Sequence, residues 1–387
     1  IIPRILTGAE WELIERGIKQ RLKALNLFLK DIYSDQAILK DKIIPADLVA
    51  SCAHYTREVF GVRVPHDLYV HISGIDLIRS QDGTFYILED NLRTPSGVSY
   101  MLENREVTKK IFPGMLSNSR ARMINNYPLL LHNILVSLAP QQLSNPTVAL
   151  LTPGVFNSAY FEHTFLARQM GIPLVEGRDL LVDHHKVYMK TTAGLKQVHV
   201  IYRRIDDEYL DPLVFRPDSA LGVPGLMSAY RKGNVAIVNA VGNGVADDKA
   251  VYAYVPAMIQ YYLNEKAILP NVPTYSMEDA DARQYVFDNM EKMVIFGYYG
   301  LVENGIMLES IRDLARKRIE HVEVSSSDLG LCITSKNYCS LSGASNHQSL
   351  VYENDHHKNF ICVVKCPNFK VECLRVLRKK LGNAYHN

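Results

Sequence analysis

From Pro146 onward, short apolar runs alternate with stretches of helical character, and this alternation restricts the fold more than any other feature of the chain. Residues 147–151 are an apolar run that ends in the turn Thr152-Pro153-Gly154. Residues 157–170 read as a helix closed by Gly171, and residues 173–175 begin the next strand. Residues 198–202 form a further strand leading into Arg203-Arg204-Ile205-Asp206-Asp207. Residues 235–238 run into a glycine-bearing loop and then a helix that carries Lys249. Parallel neighbours need a crossover long enough to hold a helix, so this order predicts a mostly parallel sheet with helices on its faces.

The part before Pro146 reads differently. Trp11, Ile14, Ile18, Leu22, Leu25, Leu29 and Ile32 step by three or four, while Glu15, Lys19, Lys23 and Lys30 fall elsewhere. That spacing predicts an amphipathic helix over residues 9–33, packed on a core. Residues 68–78 and 84–88 flank Gln81-Asp82-Gly83, which predicts a β-hairpin, since glycine accepts the positive φ of a tight turn. The second strand runs into Glu89-Asp90-Asn91.

The 387 residues allow two or three domains at roughly 100–200 residues each. We expect boundaries at 1–140, 141–255 and 256–387. With 47% hydrophobic and 22% charged residues the bulk is a folded globular chain rather than a disordered one. A net charge of +2 gives no electrostatic reason to expect nucleic acid or an anionic membrane as partner. No apolar run reaches the length of about 18 residues that a spanning helix needs, so a cytoplasmic location is expected. The opening IIPRILTGAE has no initiator Met and no signal-like segment, which reads as a start inside a longer gene product. Cys332, Cys339, Cys362, Cys366 and Cys373 crowd the C-terminal part, but their spacings complete no four-ligand zinc set. Residues 305–318 read as a helix, and the tail from Ser325 is rich in Ser, Asn, His and Cys.

Four groups of residues have the chemistry of a site. Glu89 and Asn91 lie two apart on a strand and share a face, and the cross-strand neighbour brings Asp76 beside them. Two carboxylates and an amide oxygen make a hard, all-oxygen set suited to Mg²⁺, or else a polar hairpin end with solvated acids. Arg93, Thr94, Pro95, Ser96, Gly97 and Ser99 follow, with small residues that admit a ligand to the backbone and an arginine suited to carboxylate or phosphate. The alternative there is a plain loop. Gly242 and Gly244, before Lys249, form a candidate phosphate loop, although no Walker A sequence is present. Asp247 or Asp248 is expected to be the helix N-cap. Arg203 and Arg204 end a presumed parallel strand, where they read equally as holders of an anionic substrate or as an exposed salt-bridge cluster. His163, His184 and His185 lack partners at catalytic spacing and read as structural or solvated.

Four stretches carry a family resemblance: YVHISGIDLIRSQDGTFYILEDNLRTPSGVSYMLENR, TPGVFNSAYFEHTFLARQMG, VIYRRIDDEYLDPLVFRPDSALGVPGLMSAYRKGNV and VGNGVADDKAVYAY. Together they resemble the bacterial circularly permuted ATP-grasp proteins, a group similar to glutathionylspermidine synthetase, over roughly residues 1–295. The resemblance implies an α/β fold of α+β lobes: a circularly permuted ATP-grasp with an inserted Rossmann-like (pre-ATP-grasp) segment. It implies ATP and Mg²⁺ as cofactors, and a ligase that joins a small-molecule or peptide carboxylate to an amine through an acyl phosphate. By position, Asp76, Glu89 and Asn91 match the family's Mg²⁺ ligands, Lys249 a lysine that contacts ATP phosphates, and Thr94 and Ser96 a peptide-binding segment. Arg93 and Lys249 are the expected catalytic cations, with Gly242 and Gly244 at the nucleotide.

Two departures accompany the resemblance. Gly74 stands where the synthetase pattern has the arginine of Arg-x-Asp. After Met293-Val294-Ile295, Phe296-Gly297-Tyr298-Tyr299-Gly300 replaces the expected Lys-Pro and glycine-rich loop. A relative that binds without ligating is therefore the alternative to a ligase. A dinucleotide-dependent enzyme ranks below both, because no GxGxxG follows the first central strand.

Overall fold

The computed structural model describes residues 5–140, 143–276, 279–289, 293–297, 326–327, 330–333 and 361–365. Helix α1 (Gly8–Ile32) opens on a capping box: Thr7 Oγ1 accepts from Glu10 N, and Glu10 Oε2 accepts from Thr7 N at 2.7 Å. Ile14, Leu25, Leu29 and Ile32 are buried as the spacing predicts, whereas Trp11 stays 44% exposed. The same helix buries Arg21 as well, which amphipathicity alone does not explain.

Strands β1 (Gly74–Arg79) and β2 (Phe85–Asn91) pair antiparallel around the expected turn, with Gly83 at φ 87°. The first strand starts later than residue 68 for a physical reason. The amides of Tyr69 and Val70 donate to Asn26 Oδ1 and those of His71 and Ile72 to Asn239 Oδ1, so side chains replace a strand ladder there. The second strand extends through Asn91. Helix α2 (Val98–Ile111) follows the hairpin.

Strand β3 (Val148–Leu151), helix α3 (Tyr160–Met170) and β4 (Leu174–Val175) follow in the expected order, with Gly171 at φ 67° ending the helix. The helix begins later than residue 157, because Asn157 Oδ1 accepts from Ala159 N and holds a turn. An antiparallel meander not foreseen from the sequence comes next: β5 (Leu180–Asp183), β6 (Lys186–Thr191) and β7 (Gly194–Val198). The chain then returns in β8 (Val200–Arg203) and, later, β9 (Ala236–Val238). These strands form one parallel sheet in the order β4-β3-β8-β9.

Both faces of this sheet are covered, so its strands read as unbroken apolar runs rather than alternating ones. Ala149, Leu151, Ile201 and Ile237 pack in one core with Leu25, Phe28 and Ile32 of α1. Val148, Leu150, Val200 and Val238 pack on the other side with Leu131, Leu135, Phe165 and Leu166. Each Val, Leu, Ile or Phe side chain among them removed from water stabilises the fold by about 1.5–3 kcal/mol.

A further antiparallel sheet joins Thr274–Ser276, Ile361–Lys365, Met293–Gly297, Gly330–Ile333 and Ser326–Ser327 in that order. Phe296 lies on its central strand, paired to Cys362 and Cys332. The expected helix at 305–318 falls outside the described residues, as do Tyr298 to Gly300, Cys339, Cys366 and Cys373. Among the described residues, no helix is long and apolar enough to cross a membrane.

Candidate active site

Asp76 and Glu89 are direct cross-strand partners, and Asn91 stands opposite Gly74. Leu77 pairs with Ile87, so Leu88 is an extra residue on β2, a β-bulge. The bulge reverses the burial phase of the strand. Phe85 and Ile87 are buried before it, Leu88 and Asp90 after it, which leaves Glu89 and Asn91 half-buried. Asp90 instead meets buried Arg21, whose Nε and Nη2 donate to its two carboxylate oxygens at 2.7 and 2.5 Å. Asp76 is exposed, yet partial withdrawal of its carboxyl from water, and then the charge of Glu89, raise its pKa, while Lys249 lowers it.

Lys249 opens the short helix α4 (Lys249–Tyr252), for which Asp248 is the N-cap, accepting from Ala250 N. Its Nζ donates to Glu89 Oε2 at 2.7 Å and to Leu88 O at 3.1 Å. It also lies 5.5 Å from the centre of the Tyr252 ring. The tyrosine hydroxyl donates to Ile87 O at 2.5 Å. The bulge thus turns a backbone carbonyl toward the ammonium, and the aromatic face beside it favours a cation.

The open end of the hairpin is clamped to the loop that follows β9. Asn239 Nδ2 donates to Ile72 O and Leu92 O, both at 2.6 Å, and Asn243 Nδ2 also reaches Leu92 O at 2.6 Å. Asp247 accepts from Leu92 N at 2.7 Å and from Arg93 N and Nε at 3.3 and 3.2 Å. Burial pushes the Asp247 carboxyl up to about 7, against the pull of Arg93. Asn239 and Asn243 were not singled out in the sequence. The signal available was two amides set in the otherwise apolar run from Val235 to Val245.

Arg93 sits within this clamp. Its Nη1 lies 3.5 Å from Asp206 Oδ1 and 3.5 Å from His54 Nδ1. Burial, and then the Arg93 charge, push His54 down to about 3, so the ring is neutral and its Nδ1 acts as acceptor.

The segment after Arg93 is tied at alternate points. Arg204 Nη1 donates to Pro95 O at 2.6 Å, and Glu162 Oε2 accepts from Gly97 N, Ser99 N and Ser99 Oγ at 2.8, 3.0 and 2.9 Å. Glu162 and Arg204 pair with each other at 3.2 Å, with their side chains 0% and 2% exposed. Thr94 and Ser96 project between these ties, the first half-buried and the second exposed.

Several expectations change. Arg203, one of the two arginines read as possible substrate holders, has a fully buried guanidinium that donates to the carbonyls of Asn239, Ile205 and Ala240 at 2.8, 3.0 and 3.1 Å. Arg204 serves the 95–99 segment rather than an exposed salt-bridge cluster. Gly242 has its amide on Asp207 Oδ2 at 2.9 Å, and a Cβ there would meet Val59 and the Tyr33 ring and hydroxyl within 2.9 Å. A Cβ on Gly244 would lie 2.5 Å from Arg93 Cδ. Close protein packing, not an exposed phosphate loop, requires glycine at both positions. His163 bonds Thr152 Oγ1 at 2.9 Å and is buried, while His184 is exposed beside Asp183.

The chain's relatives can now be set against this geometry. A model of a circularly permuted ATP-grasp matches residues 3–327. The chain belongs to the circularly permuted ATP-grasp family. An uncharacterized protein of Synechocystis is 51% identical over 326 residues, which cover 83% of this chain and 68% of that protein. An uncharacterized protein of Mycobacterium tuberculosis is 52% identical over 307 residues, covering 78% of this chain and 56% of that protein. A protein of Frankia casuarinae named a putative glutamate–cysteine ligase is 40% identical over 313 residues, 80% of this chain. The match spans 36% of that protein, so most of it lies outside the similarity.

For this ATP-grasp chain the implied metal is Mg²⁺, and the hairpin's donors fit it. Mg²⁺ takes one or two carboxylates and completes its shell with water and substrate phosphates. Asp76 and Glu89 are two opposed carboxylates, and Asn91 adds a neutral oxygen. Among the described residues no group of three or more His, Cys, Asp and Glu gathers as a metal cage. Mg²⁺ needs no such cage when phosphates share its shell.

Proposed function

We propose that this protein is an ATP- and Mg²⁺-dependent ligase that joins a carboxylate to an amine through an acyl phosphate. The observation that carries the reading is the opposed pair Asp76 and Glu89 with Lys249 against Glu89, at the hairpin end clamped beside the carboxyl ends of β8 and β9. Ligands of open parallel sheets gather at such carboxyl ends.

In this reading Asp76, Glu89 and Asn91 would hold Mg²⁺. The ion supplies neutralisation of the charge on a phosphoryl group in transfer. A substrate carboxylate oxygen attacks the γ-phosphorus and ADP leaves. The amine then attacks the acyl carbon, loses a proton, and phosphate leaves. Arg93, tied to Asp247 and Asp206, would turn to an anionic group only by giving up a carboxylate partner, and Thr94 and Ser96 would offer hydroxyls to the acid substrate. The Frankia relative's name makes an amino-acid carboxylate and an amino-acid amine the first pair to try.

Calorimetric titration of ATP with and without Mg²⁺ tests the reading. Binding that requires Mg²⁺ and vanishes in Asp76→Ala is expected, and absence of binding under both conditions overturns it. A second reading, a fold that binds without ligating, is favoured by Phe296 at the position where the family resemblance expects lysine. Mg²⁺-dependent ATP binding with no ADP formed across a panel of acid and amine pairs would select it.

A further inference from the structure

Lys249 contacts the residue proposed as a metal ligand, and this carries an inference that rests on the Mg²⁺-ATP reading. The ammonium is bonded to Glu89 Oε2 at 2.7 Å and to the bulge carbonyl of Leu88 at 3.1 Å, with the Tyr252 ring beside it. Carboxylate, carbonyl and aromatic face together form a seat for one monovalent cation. Directly across the ladder stands Asp76, a like charge that destabilises the hairpin unless a cation lies close. Lys249 and Glu89 keep 12% and 23% side-chain exposure, so the pair is only partly screened by water.

We propose that Lys249 is the resident counter-ion of Glu89 and competes with the divalent ion for that carboxylate. A divalent ion on Glu89 would sit next to the ammonium and be repelled by it, so metal alone binds weakly. ATP resolves the competition, because a phosphate oxygen gives Lys249 a new partner as Glu89 passes to the metal. Metal and nucleotide are then loaded together, and the site stays closed to metal without nucleotide. The proposal assigns Lys249 two partners in sequence, Glu89 and then phosphate.

Mn²⁺ reports this directly, as its electron paramagnetic resonance signal counts free ion. Titration without nucleotide is expected to show Lys249→Met binding Mn²⁺ about tenfold or more tightly than the unaltered protein, within the usual range of coupling between sites. Lys249→Arg, which keeps a cation, is expected to restore weak binding. Lys249→Gln repeats the test should the methionine variant not fold, and circular dichroism verifies each variant. Equal nucleotide-free Mn²⁺ affinity in Lys249→Met and the unaltered protein, with ATP still drawing Mn²⁺ into both, overturns the competition and leaves the Mg²⁺-ATP reading standing. Failure of any form to bind Mn²⁺, with ATP or without, overturns both.

Discussion

Arg21 and Asp90 form a buried, two-pronged ion pair, with contacts of 2.7 and 2.5 Å between the first helix and the strand that carries the candidate metal ligands. Arg21 also donates to Asn271 Oδ1 at 2.7 Å, so one guanidinium joins α1, β2 and the segment after Pro270. It fixes which face of β2 is buried. With Asp90 pinned inward, Glu89 and Asn91 are left to the accessible side.

Arg21→Met is therefore expected to destabilise the protein by about 3–5 kcal/mol, because it strands a buried carboxylate. Urea unfolding measures the loss. The double variant Arg21→Met with Asp90→Leu is expected to recover most of it, and a double variant as unstable as the single one would count against this account.

Glu162→Gln removes the carboxylate that pairs with Arg204 and accepts three donors from Gly97 and Ser99. A hydrogen bond to a charged group contributes about 1.5–3 kcal/mol, so a loss of that order is expected. The amides of residues 97 and 99 should exchange with deuterium faster, while those of β8 should not. Unchanged exchange at 97 and 99 would show that the segment does not depend on Glu162.

Gly242→Ala places a Cβ at φ 89° within 2.9 Å of Val59 and Tyr33. Alanine at a positive φ alone costs more than about 1 kcal/mol, and the clash adds to that. A lowered melting temperature checks this, and alanine tolerated without loss would contradict the packing role.

Acid should destabilise the fold through its histidines. Burial pushes His54 and His163 down to about 3 and His71 to about 4, with Arg93, Arg204 and His66 adding repulsion. Each depressed histidine is neutral when folded and protonates near pH 6.5 when unfolded. Its contribution is therefore present above that pH and lost as pH falls toward its folded value. Asp247, raised to about 7, runs the other way: its contribution is present below the ordinary carboxylate range and lost as pH rises through 7. Around pH 5 the unfolded chain holds about two more protons than the folded one from these four groups. Stability is then expected to fall by roughly 3 kcal/mol per pH unit on acidification. Chemical denaturation between pH 6.5 and 4.5 measures the slope, and a flat profile would contradict the buried neutral rings.

By itself the sequence determined the helix α1, the turn at Gly83, the central parallel strands and the candidate residues Asp76, Glu89, Asn91 and Lys249. The elements follow from local rules, apolar spacing and glycine at positive φ; the two-residue period of a strand put Glu89 and Asn91 on one face, and the family resemblance singled out the four candidates. Family membership was legible for a related reason, since long unbroken motifs such as ILEDNLRTPSG survive in the linear text. Only the tertiary structure decided the bulge at Leu88, the inward turn of Asp90 to Arg21, and the clamp of Asn239, Asn243 and Asp247. It also showed Arg203 and Gly242 to be closely packed within the protein. Apart from the bulge, those outcomes join residues tens to hundreds of positions apart, such as Arg21 with Asp90 or Leu92 with Asn243. A buried charge or amide must find its partner wherever the fold brings one, and no local spacing records which one that is.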